Sequence, residues 1–79
     1  MSNIEKYTSV FIDCFNIERE LLDENFTYQS VPAWDSVGHM SLIAALEEAF
    51  DIMMETDDII DFSSYTKGLE TLGKYNVRF

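Results

Sequence analysis

Ser36 stands directly behind an aspartate and three residues ahead of the chain's one histidine, in the stretch WDSVGHM (Trp34 to Met40). A hydroxyl and an imidazole three apart on a helix can approach each other, which is the beginning of a nucleophile–base pair. A hydrolase needs more: a third group to hold the base, an oxyanion hole and a cleft. The G-x-S-x-G elbow is absent, and 79 residues leave little room for a cleft. His39 leans toward the core side of its helical wheel, where it reads as a satisfied boundary residue. Catalysis is the weakest of the available readings.

Metal binding fares little better. Asp51, Glu55, Asp57, Asp58 and Asp61 make an acidic cluster. A calcium loop of the EF-hand type needs a glycine at its sixth position and a glutamate at its twelfth, and no register here supplies the glycine. A structural zinc site takes several Cys or His, and the chain has one of each. Two readings of Ser36 then stay open. It is part of an ordinary helix start, or it is an exposed attachment point that another enzyme reaches and modifies.

The elements that must position Ser36 follow from hydrophobic period. Ile4, Tyr7, Phe11 and Phe15 recur at three- and four-residue spacing and predict a first helix over Asn3 to Asn16, capped by Ser2 or Asn3. Cys14 lies on its apolar flank and reads as a small core residue. The period is lost from Ile17 to Trp34. Pro32 disfavours helix at Val31. A connection of that length in a small domain is unusual. Its apolar residues predict that it packs over the core, with a turn of helix near Glu18 to Leu22.

A second helix is expected from Ser36 to about Phe50, with Asp35 as N-cap and as a charge suited to the positive helix end. At about 100° per residue, Leu42, Ile43, Leu46, Ala49 and Phe50 form a core stripe. Val37, Met40, Ala44 and Glu48 form an opposite, thinner strip. That strip is either buried on a second side of the same domain or turned outward. Thr56 to Phe62 reads as a short third helix capped by Thr56. Ser63 or Ser64 then caps a last helix carrying Tyr65, Leu69 and Leu72. Gly68 and Gly73 weaken that last helix by about 1 kcal/mol each relative to Ala. The expected fold is all-α: one domain over residues 1–79, a four-helix bundle with a long loop between helices 1 and 2 and a short third helix.

Composition narrows the partners. The formal net charge is −10, so nucleic acid and anionic membranes are disfavoured, because both call for a basic surface. No Lys or Arg lies between Arg19 and Lys67, while that interval holds eleven carboxylates. Such a surface is either simply solvated or docks on an electropositive partner. One cysteine excludes an internal disulfide. MSNIEKYTSV matches neither a secretory signal nor a transit peptide, and no apolar run reaches the roughly 18 residues of a membrane span. The expectation is a cytoplasmic protein, monomeric and without membrane insertion.

Asp35-Ser36-Val37 resembles the D-S-[LIV] attachment motif of acyl carrier proteins. LIAALEEAF (Leu42 to Phe50) is similar to the end of that family's second helix. DDIIDFSSYTKGLETL (Asp57 to Leu72) resembles its short third helix, the turn that follows and its last helix. The tripeptide alone is a weak signal; the combination, in this order and spacing, is strong and covers essentially the whole chain.

The resemblance implies that Ser36 carries covalent 4′-phosphopantetheine, installed from coenzyme A by a phosphopantetheinyl transferase, with Asp35 completing the motif. The arm's thiol would hold an acyl group as a thioester, and the chain itself would catalyse nothing. Val37, Met40 and Ala44, with Glu47 and Glu48, would meet the basic surfaces of acyl-loading and acyl-processing enzymes. Leu46, Phe50, Ile60 and Leu69 would border an acyl pocket. Gly38-His39 stands where fatty-acid carriers more often have an acidic or hydroxyl pair, and Ser41 where they usually have glutamate. The form W-D-S-[LV]-G-H looks more like free-standing carriers of specialised, polyketide-like or surface-polysaccharide pathways. D-alanyl carriers share the D-S pair, so an aminoacyl cargo is an alternative. An unmodified acidic helical adaptor is the alternative outside this family.

Overall fold

The computed structural model describes residues 2–79 and, among them, four α-helices and no strand: α1 (Asn3–Phe15), α2 (Ser36–Phe50), α3 (Thr56–Asp61) and α4 (Tyr65–Gly73). A 3-10 turn, Arg19–Leu21, interrupts the connection between α1 and α2. No helix among the described residues is long and apolar enough to cross a membrane.

Each longer helix begins on a polar cap. The Ser2 hydroxyl accepts the Glu5 backbone N–H, the Asp35 carboxylate that of Gly38, and the Ser64 hydroxyl that of Lys67. Each of these satisfies a donor that has no partner inside its helix. Helix α3 differs from expectation. Thr56 is its first residue and not its cap; Glu55 occupies the cap position and makes no side-chain capping bond. Helices α1 and α2 stop at Asn16 and Asp51, both left-handed with φ near 53°. Asn and Asp tolerate that conformation better than most residues.

The core is aromatic. Tyr7, Phe11 and Phe15 line one face of α1 and meet Leu42, Ile43 and Leu46 of α2. Residues 16–35 add Phe26 and Trp34, both buried, so this connection is part of the core, as its apolar residues predicted. Trp34 stacks on Phe15 and Phe26 at 5.4 Å from each, and meets Phe11 edge-on at 5.6 Å. Aromatic pairs in these geometries contribute about 0.5–1.5 kcal/mol beyond area burial. The Tyr7 hydroxyl donates to the Tyr65 carbonyl at 2.6 Å, and the Thr8 and Tyr65 hydroxyls share a bond at 2.8 Å. Burial, with Tyr65 close by, pushes the Tyr7 phenol well above its ordinary range.

Two glycines have packing reasons that local helix propensity does not contain. A β-carbon on Gly38 would overlap the Ala33 carbonyl oxygen. A β-carbon on Gly68 would overlap the Tyr7 hydroxyl and the Phe62 ring, so α4 crosses the core at the distance only glycine permits. Gly73 has open space around it.

Candidate functional site

Trp34 fixes where α2 begins. Its side chain is fully buried, while the next three residues, Asp35, Ser36 and Val37, are exposed. The chain therefore leaves the core at Trp34 and starts a helix at the surface. Asp35 supplies the cap through Oδ1, 2.8 Å from the Gly38 nitrogen, and its carbonyl accepts the His39 N–H at 2.7 Å. Ser36 does no capping. Its hydroxyl is exposed and shares a hydrogen bond with the Tyr28 hydroxyl at 3.3 Å.

His39 is held at both ring nitrogens. The Trp34 indole N–H donates to Nδ1 at 3.0 Å, and Nε2 lies 2.8 Å from the Ile59 carbonyl. An indole N–H can only donate, so Nδ1 accepts; Nε2 then carries the proton and donates to Ile59. Neither nitrogen is left to take a proton from Ser36. The boundary role read for His39 is what its half-buried position provides, and it also ties α2 to α3.

A groove of about 360 Å³ opens beside Ser36. Helix α2 contributes Ser36, His39 and Met40; α3 contributes Ile59 and Ile60; Phe62 and Ser63 follow α3, and Tyr28 comes from the connection. Phe62 is buried and His39 half-buried, whereas Met40 and Ile60 are 57% and 70% exposed, so the first pair makes the floor and the second the rim. Of the four residues expected to border an acyl pocket, only Ile60 lines this groove. Leu46 is wholly buried in the core, Leu69 packs half-buried against it, and Phe50 lies under Lys6 and beside Phe79. Phe62 and His39 floor the groove, and Leu46, Phe50 and Leu69 are not among its lining residues.

The outward strip of α2 is a surface. Val37 is 75% exposed, and Met40, Ala44 and Glu48 are exposed with it. Glu47 is half-buried, and its carboxylate also serves the backbone. Its Oε2 accepts the Met54 N–H at 2.8 Å, which fixes the chain after α2. Tyr28 also belongs to this site, although the sequence does not mark it. It sits in a segment without period, and nothing in its neighbours marks it as close to Ser36.

Among the described residues, no three His, Cys, Asp or Glu side chains converge as a metal site. No family model, curated protein or solved structure matches this chain.

Proposed function

We propose that this chain is a free-standing acyl carrier protein that bears 4′-phosphopantetheine on Ser36. The observation that carries the reading is the state of Ser36: an exposed hydroxyl at the first turn of α2, released from capping by Asp35 and opening onto a groove. The likeness of residues 35–37, 42–50 and 57–72 to carrier sequences supports it independently.

The residues around Ser36 suit the group. The hydroxyl supplies the phosphodiester oxygen, the Tyr28 hydroxyl is within hydrogen-bonding distance of that oxygen, and Met40 and Ile60 present apolar rims. When bound, the group supplies a thiol that holds an acyl chain as a thioester. The protein's own part is to present Ser36 and to dock. Val37, Met40 and Ala44 give apolar contact, and Glu48 with the surrounding carboxylates attracts basic partner surfaces. Those partners are a phosphopantetheinyl transferase and the acyl-loading and acyl-processing enzymes of a lipid, polyketide-like or other specialised pathway.

The test is the intact mass after incubation with coenzyme A, magnesium and a broad-specificity phosphopantetheinyl transferase. A carrier gains one phosphopantetheine. An adaptor that works through its acidic face stays at its starting mass with every transferase tried.

A further inference from the structure

The Ser36 neighbourhood is poor in cations. No Lys or Arg lies between Arg19 and Lys67 in the sequence, and none lines the groove. Asp35, adjacent and exposed, repels an anion from its side of Ser36. A phosphodiester on Ser36 must therefore find neutral donors, and the Tyr28 hydroxyl is already 3.3 Å from Oγ.

Tyr28 is also held firmly for a residue outside the helices. Its N–H donates to the Ser63 carbonyl at 2.8 Å, the Gln29 N–H to Trp34 at 3.1 Å, and the Tyr65 N–H to Phe26 at 2.9 Å. Thr27 and Ser64 form an isolated bridge beside it. The ring stands edge-on to Trp34 and to His39, with centroids 6.1 and 5.9 Å away. The phenol is thus presented from a fixed platform at the mouth of the groove.

We infer that Tyr28 is the positioning residue for the prosthetic arm: its O–H donates to the phosphodiester on Ser36 and turns the arm into the groove between α2 and α3, where Met40 and Ile60 receive its paired methyl groups. This inference rests on the carrier reading. A hydrogen bond from a neutral hydroxyl to an anionic oxygen is about twice as strong as one between neutral groups, so the contact tightens once Ser36 is modified. The apolar rim then shields the arm's branched carbon from water.

The test compares the loaded parent with loaded Tyr28→Phe, which keeps the ring and removes one oxygen. Intact mass verifies loading and circular dichroism verifies the fold in both. In the parent, the phosphorus-31 line is displaced from its position in the urea-unfolded protein, and the arm's methyl protons show Overhauser contacts to Met40 and Ile60. In Tyr28→Phe the line moves toward the unfolded position and narrows, and the methyl contacts are lost. A variant with the parent's line and contacts overturns the inference, as does a parent whose line already sits at the unfolded position. A parent that gains no mass overturns the carrier reading and this inference with it.

Discussion

The Trp34 indole donates to His39 Nδ1 across 3.0 Å, and the same imidazole donates onward to the Ile59 carbonyl. One side chain thus joins the buried end of the α1–α2 connection, the first turn of α2 and the short helix α3. His39→Ala strands the indole N–H of a fully buried Trp34 and frees α3 on this side. We expect a loss of about 1–3 kcal/mol in urea unfolding, the cost of an unpaired buried donor. Amide exchange should speed up first in residues 56–61. Unchanged exchange in α3 would show that His39 does not pin it.

On its other side, α3 is held by Asp58. Its carboxylate accepts from Lys74 and from the Tyr75 hydroxyl, each at 2.5 Å, and the Glu55 N–H donates to the same Tyr75 hydroxyl at 2.9 Å. The bonds from Lys74 and Tyr75 hold the Asp58 carboxyl below the usual carboxylate range. A depressed folded-state value means the contribution is present above the unfolded value, about 3.9, and is lost as pH falls through the folded one. The melting temperature of the parent should exceed that of Asp58→Asn at neutral pH, and the gap should close on acidification below that value. Lys74 is largely exposed, so added salt should narrow the gap as well. A gap independent of pH would mean that the difference does not arise from ionisation of the Asp58 carboxyl.

Gly68 and Gly73 occupy one helix and should respond to alanine with opposite signs. At Gly68 the new carbon meets the Tyr7 hydroxyl and the Phe62 ring. Overpacking of that kind costs about 1–3 kcal/mol, more than the roughly 1 kcal/mol gained in helix propensity. At Gly73 there is nothing within 4 Å, so Ala stabilises by up to about 1 kcal/mol, less at a helix end. Urea midpoints of the two variants, measured against the parent, read both signs at once.

That contrast marks the boundary of what the sequence discloses. Two glycines in KGLETLG look alike as helix weakeners, because propensity counts only local cost. The clash at Gly68 depends on Tyr7 and Phe62, which the fold brings there from elsewhere. Helix α2 was legible from Ser36 to Phe50 because its cap and its apolar period are both local. The packing of the α1–α2 connection over the core was legible from its apolar residues, while the stacking of Trp34 on Phe15 and Phe26 was not. The bond that Glu47 accepts from the Met54 N–H and the seat of Phe50 away from the groove were not either, since the wheel assigns a face but not a partner. His39 shows the same division. Its boundary position follows from the wheel, while its bond to Ile59, 20 residues later, does not.

Asp35 and Ser36, neighbours in sequence, carry separable duties. Asp35→Ala removes the cap from Gly38 and should cost about 1 kcal/mol. Ser36→Ala removes an exposed hydroxyl bonded only to Tyr28 and should stay within about 0.5 kcal/mol of the parent. Thermal melts of the two variants separate these duties. Equal losses would mean that Ser36 shares the capping.

Whether Ser36 bears the prosthetic group is read most directly from the intact mass of the parent and of Ser36→Ala, treated side by side with coenzyme A, magnesium and transferase. One phosphopantetheine is expected on the parent and none on the variant, with matching circular dichroism. A folded parent that gains nothing from several transferases, or a Ser36→Ala that loads like the parent, would contradict it.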